Sequence, residues 1–428
     1  VLGNGSGPLR VQPTTDSLVF VSQVRRLLVG VAASLALAAT AAAPAPAAQR
    51  VEVVDLPSLA GNVDLSVARL NKATKLQAHV LLPDGYDEQP ERRWPVLYLL
   101  HGVGDDSSTW LDPKKGDVRV RAKGLPAIVV MPEGGRNYFT DLWLGGSRKG
   151  GNWERYTLGE VLPAIEARYR IAPGRDNHAI GGLSAGAYGA SLLGAQLPSY
   201  FGTVLNFSGL FNLEDPSIAV LVPYFSAFSF TRQWGRFGGP YARAHSPLRL
   251  IDNLQASRVY VSAGNGLGSL EARLNAAQAL LGGVTEAGVR VDSEVFARTA
   301  RSRGVEVAYR PRGAGVHYWP YWRRELSAAI QWGLFERPAR DAAAERTQFR
   351  YLTMAPHGNA WGLGFRFAAP PTTTLLLRRD GQHLTATGRG TITITPGAAD
   401  ADASGAGTRT DCAFTAELPF ERELPAGC

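Results

Sequence analysis

The chain has 428 residues, 45% of them apolar and 19% charged, which excludes a disordered or fibrous protein and exceeds the length of one ordinary domain. Its 45 basic residues outnumber 37 acidic ones for a net charge of +8. They form no basic stripe of the kind nucleic acid requires, so no nucleic-acid partner is expected.

Residues 1–48 place Arg25 and Arg26 before the apolar, alanine-rich run 27–43 and the small-residue stretch 44–48. This pattern predicts a secretory signal peptide cleaved near Ala47 or Ala48, and a secreted or cell-envelope protein without a transmembrane anchor in its mature form. A first domain is expected over 49–335, where apolar strands at 75–82, 96–100, 127–131, 178–181, 204–207, 259–263 and 305–310 alternate with helical stretches. The helices are expected at 158–169, 187–196, 269–281, 293–303 and 319–335. Such alternation implies an α/β fold with a mostly parallel sheet covered on both faces. The segment 213–250 breaks the rhythm with an aromatic-rich insertion that includes Phe225, Phe228, Phe230 and Trp234. A charged linker at 336–345 leads to a small all-β domain at 346–428, for which strands at 348–367, 372–379, 383–387 and 391–395, a polar loop at 398–407 and an Ig-like sandwich are expected. The only two cysteines, Cys412 and Cys428, lie in this domain and predict a disulfide in an exported chain. Neither has a metal-ligand companion at useful spacing, so no metal and no cofactor is expected.

Residues 182–186 read G-L-S-A-G between a strand-like run and a helix-friendly stretch. This is the nucleophile-elbow pattern, which puts Ser184 on a tight strand-to-helix turn above a parallel sheet. A serine needs a base, and α/β-hydrolases carry serine, acid and histidine in that chain order. His101 precedes the serine, His79 and His178 fall in apolar runs, His245 comes before the last strands, and His357 and His383 belong to the C-terminal region. His317, after the final strand of the first domain, remains. The Gly-rich turn after the 96–100 strand points to the Val103 N–H as an oxyanion donor beside the N–H of Ala185. Spacing alone leaves the acid open among Glu271, Asp292 and Glu294. His101, Trp319, Phe225 and Phe228 are the side chains expected to touch substrate.

With these residues named, the region from about 75 to 335 resembles the esterase D-like esterase family of the α/β-hydrolases, most closely the secreted mycolyltransferases of the antigen 85 complex. The resemblance is carried by LLHG at 99–102, VVMPEGG at 129–135, Trp153-Glu154, GLSA at 182–185, Asp215-Pro216-Ser217, YVSAGNG at 260–266, EVFART at 294–299 and HYWPYW at 317–322. It implies an α/β-hydrolase fold and selects Glu294 as the triad acid, since Phe296, Arg298 and Thr299 follow it as in the mycolyltransferases, with Glu271 next in line. Where those enzymes have an aspartate and an arginine linked to trehalose binding, this chain has His101 and Gly104, which argues against a trehalose acceptor. The expectation is a serine esterase acting on a small-molecule or lipid ester through Ser184, His317 and Glu294. The alternatives are an acyltransferase to a sugar or lipid alcohol, and a non-catalytic envelope-binding scaffold. Association with the cell envelope is assigned to the C-terminal domain.

Overall fold

The computed structural model describes residues 49–66, 74–143, 150–226, 228–268, 274–337, 344, 346–397 and 410–428, with the side chains of 221, 223–225 and 410 left aside. The expected signal peptide, Glu271, the 398–407 loop, the Phe225 side chain and most of the 336–345 linker lie outside the described residues.

Eight strands form the first sheet: β1 (Val51–Asp55), β2 (Gln77–Leu81), β3 (Val96–Leu100), β4 (Ile128–Pro132), β5 (His178–Leu183), β6 (Thr203–Phe207), β7 (Arg258–Ala263) and β8 (Glu306–Pro311). Their order is β1-β2-β4-β3-β5-β6-β7-β8, with β1 and β2 antiparallel and β4 through β8 parallel. Sequences such as VLYLL in β3 and IVVMP in β4 are buried at every position, as strands covered on both faces must be. Besides short helical turns, the helices are α1 (Leu162–Arg168), α2 (Ala185–Gln196), α3 (Pro216–Phe225), α4 (Phe230–Trp234), α5 (Pro240–Ala244), α6 (Ala276–Ser302) and α7 (Trp319–Trp332). The strand order reverses between β3 and β5, whose C-terminal ends lie side by side. In open parallel sheets that reversal opens a crevice where ligands bind.

One difference from the sequence reading bears directly on the site. The two helices expected at 269–281 and 293–303 are replaced by one 27-residue helix, α6, whose N-terminus is closed by a capping box of Asn275 and Gln278. Gly282 and Gly283 look like a break but serve as a contact surface. A Cβ on Gly283 would lie 2.6 Å from the Gly266 carbonyl, and one on Gly282 would lie 3.4 Å from the His317 backbone. The glycines let α6 press against two loops without ending it.

The C-terminal region is one six-stranded antiparallel sheet rather than an Ig-like sandwich: β9 (Gln348–Thr353), β10 (His357–Ala360), β11 (Leu363–Phe367), β12 (Leu375–Asp380), β13 (His383–Pro396) and β14 (Phe414–Glu423). The strands expected at 383–387 and 391–395 are the two halves of β13, joined across a register shift between Ala386 and Gly390. The first half pairs with β12, the second with β11, and β14 pairs with both. Cys412 and Cys428 form a disulfide with Cα atoms 5.9 Å apart. Strand β9 is tied to the first sheet's helices: Asn253 exchanges two 2.9 Å hydrogen bonds with the Leu352 backbone, and the buried Tyr351 hydroxyl donates to the Gln196 carbonyl at 2.8 Å. No helix among the described residues is long and apolar enough to cross a membrane.

Candidate active site

Ser184 joins β5 to α2 with φ 52° and ψ −119°, a backbone conformation that L-residues seldom adopt and that surrounding structure must enforce. The flanking glycines show how it is enforced. A Cβ on Gly182 would fall 2.6 Å from the Gly186 backbone, and one on Gly186 would fall 2.4 Å from the His101 carbonyl. The helix start is thus pressed against the end of β3, and the serine is pushed out above the sheet.

His317 comes from the loop between β8 and α7, and its backbone N–H donates to the Gly282 carbonyl at 2.9 Å. The imidazole Nε2 lies 2.8 Å from Ser184 Oγ, and Nδ1 lies 2.9 Å from Glu286 Oε2. With the ring proton on Nδ1, His317 donates to Glu286 while Nε2 accepts from the serine hydroxyl. Glu286 is 2% exposed, and its Oε1 accepts from Ser208 Oγ at 2.7 Å and from the Gly264 N–H at 2.6 Å. These bonds compensate the burial of a carboxylate and fix its orientation. The arrangement can pass the serine proton to imidazole and hold the resulting imidazolium against a carboxylate.

The carboxylate at His317 is therefore Glu286, not Glu294. Eight residues further along α6, Glu294 pairs with Arg290 at 3.1 Å and with the Tyr309 hydroxyl at 3.4 Å. Asp292 accepts from the N–H groups of Phe211 and Asn212. Glu286 escaped the sequence reading because it fell in the presumed gap between two helices. One signal was available: in a continuous helix, Glu286, Val289, Ser293, Phe296 and Ala300 form the buried stripe, and a glutamate on such a stripe demands a partner.

Val103 lies in the turn after β3 and lines the cavity above Ser184. A Cβ on its neighbour Gly102 would be 3.6 Å from Ser184 Cβ, so this turn sits directly against the serine. Ala185 opens α2, where the first N–H groups have no intrahelical acceptor. His101 departs from expectation: it is 1% exposed and is not part of the cavity wall. Its Nδ1 lies 2.9 Å from the Gly102 carbonyl and its Nε2 receives the Gly134 N–H at 3.1 Å, so it braces the turn from behind.

The cavity has a volume of about 420 Å³. Trp319 lines it beside Tyr318 and Trp322, whereas Phe228 is buried inside the insertion and does not line it. The insertion contributes Ser217, Ile218 and Val222 of α3 instead. Beyond the turn that follows β3, Asp105 meets Lys115 Nζ at 2.7 Å; burial holds this carboxyl above its usual range against the opposing pull of the lysine. Among the described residues no group of three or more His, Cys, Asp and Glu side chains is placed to hold a metal ion.

A sequence profile described as "Putative esterase" matches residues 68–332, more than half the chain. The chain belongs to the putative esterase family. Among curated relatives, Esterase Rv1288 of Mycobacterium tuberculosis is 30% identical over 194 residues, covering 44% of this chain and 42% of that protein. This chain therefore spans less than half the length of that relative. The diacylglycerol acyltransferase/mycolyltransferase Ag85B of Mycolicibacterium smegmatis is 27% identical over 257 residues, covering 55% of this chain and 75% of that enzyme. Among solved structures, Mycobacterium tuberculosis MPT51 superposes with a TM-score of 0.52 at 22% identity, over 67% of this chain and 99% of that one. That likeness establishes the shared α/β-hydrolase fold, with the C-terminal antiparallel sheet standing apart from it.

Proposed function

We propose that this member of the esterase family is a serine esterase that hydrolyses carboxylic esters through an acyl-enzyme. The observation that carries the reading is the continuous hydrogen-bonded run from Ser184 Oγ through His317 to Glu286, at 2.8 and 2.9 Å. In this reading Ser184 attacks the ester carbonyl as His317 takes its proton, and the N–H groups of Ala185 and Val103 hold the oxyanion. His317 then protonates the leaving alcohol, and water repeats the sequence in reverse to release the acid. Glu286 keeps the imidazole in the required tautomer and stabilises its charged form. No cofactor enters these steps. Export fits the leader-like pattern of 1–48 and the Cys412–Cys428 disulfide, which belongs in an oxidising compartment.

Transfer to an alcohol is the second reading, favoured by the similarity to Ag85B over most of that enzyme's length. It differs only in whether water or an alcohol accepts the acyl group. The test is a fluorophosphonate label mapped by mass spectrometry, followed by product analysis of activated esters with and without trehalose, glycerol or glucose. Labelling at Ser184 with free acid as the main product is expected. An unlabelled Ser184 overturns the esterase reading, and dominant acyl-sugar or acylglycerol transfers it to the second.

A further inference from the structure

One wall of the cavity is apolar, built from Leu210, Ile218, Val222 and Val289. A single carboxyl on α6, Asp292, interrupts it. Its Oδ2 does all the structural work, accepting the N–H of Phe211 at 2.7 Å and that of Asn212 at 3.3 Å. Among the described residues no donor reaches Oδ1 and no basic side chain pairs with the group. Oδ1 is not a buried atom: Asp292 is half-buried and this oxygen opens onto the cavity, where it is free to accept from a bound molecule in place of solvent. Burial, reinforced by the charge of Asp215, pushes this acid up to about 6 against the two backbone hydrogen bonds.

The helix geometry places this acid away from the reacting atoms. Thr285, Gly288 and Asp292 share one face of α6 and all line the cavity, while Glu286 on the adjoining face holds His317. At 1.5 Å per residue, Asp292 lies about 9 Å along the helix from Glu286. A substrate whose ester sits at Ser184 would meet Asp292 with the far end of whichever arm follows this wall.

We propose that Asp292 is a specificity-determining residue whose free oxygen accepts a hydrogen bond from a hydroxyl at the distal end of the substrate, so that hydroxyl-bearing esters are preferred over plain alkyl esters. This rests on the esterase reading and adds a substrate class to it. A site built to bond a hydroxyl discriminates strongly against the analogue lacking it, because the protein group is then left unpaired and dry.

The experiment compares matched esters of about four to eight carbons ending in methyl, hydroxyl or ketone, with the variable end on the acyl arm in one set and on the alcohol arm in the other. For the unaltered protein, kcat/KM is expected to favour hydroxyl over methyl by about tenfold or more in one set, with the ketone poorest because a carboxylate repels a second acceptor. Asp292→Asn keeps an oxygen for Phe211 and Asn212 but turns an N–H₂ donor toward the cavity. It should shrink the hydroxyl preference and raise the ketone relative to methyl by about tenfold, with an unchanged melting temperature as the check on folding. Hydroxyl and methyl esters turned over within twofold of each other in both sets, or an Asp292→Asn variant with the unaltered ranking, would overturn the proposal. Failure of the unaltered protein to hydrolyse p-nitrophenyl acetate or to take up fluorophosphonate would instead overturn the esterase reading.

Discussion

The two sheets of this chain distribute their side chains in opposite ways. In the parallel sheet, β3 through β7 are buried along their whole length, so both faces are spent on packing and only the strand ends remain for chemistry. Those ends carry the Val103 turn, Ser184 and Ser208, with Gly264 just past β7. In the C-terminal sheet, strands such as β9 and β12 alternate between covered and open positions, which leaves a broad face but gathers no comparable set of groups at one edge. The contrast teaches that reactive groups concentrate where a parallel sheet forces the chain to turn, whereas an antiparallel sheet spreads its polar side chains over a surface.

If the division holds, damage at the strand ends should remove activity and spare stability, and damage at β9 should do the reverse. The largest effect is expected for Ser184→Ala, with ester turnover reduced by roughly 10³-fold or more and an unchanged melting temperature. Retention of more than a few percent of activity would remove Ser184 from the mechanism. Glu286→Gln comes next. Its amide would turn a donor toward His317 Nδ1–H, and kcat should fall by roughly 10²-fold or more. Asn253→Ala removes both bonds to Leu352 and one to the Ala195 carbonyl. It should cost roughly 1–3 kcal/mol in denaturant unfolding while kcat/KM on small esters stays constant. Parallel loss of both would show that the sheets do not act separately. The smallest effect belongs to Glu294→Gln, which breaks a half-exposed pair with Arg290 and should change kcat less than twofold. A large loss there, with little at Glu286, would reverse the assignment of the acid.

Much of this arrangement was legible in the residues. Continuous apolar runs mark β3 to β7, the G-L-S-A-G turn marks Ser184, and chain order singles out His317, because each rests on a local rule that tertiary structure has no reason to override. Glu286 was not legible for a physical reason. Helix breaks are inferred from glycine's weak helical propensity, whereas Gly282 and Gly283 are present because two loops approach α6 too closely for a side chain. The similarity of 294–299 to the mycolyltransferase pattern then drew the acid two turns too far along the same helix. His101 was misread through its neighbours: lying beside the Gly-rich turn expected to hold the oxyanion suggests contact with substrate, but its ring turns inward to Gly134. The expectation of a small β domain at 346–428 rests on patterns within that segment alone. The bonds of Tyr351 and Leu352 to Gln196 and Asn253 join residues about a hundred or more positions apart, and no periodicity announces them. Cutting the chain near residue 339 would strip those groups of their partners.

Helix α6 separates two duties by angle. Glu286 and Phe296 turn inward, while Thr285, Gly288 and Asp292 face the cavity. A Cβ added at Gly288 meets no atom within 4 Å, so that position has room to accept a side chain. Under the esterase reading, single-codon changes at 285, 288 and 292 would alter which esters fit while Glu286, which holds the His317 imidazole from the adjoining face, stays in place. New substrate ranges are then reachable by short mutational steps that pass through active intermediates. A combinatorial library at those three codons would retrace in the laboratory the routes by which such a protein diversifies.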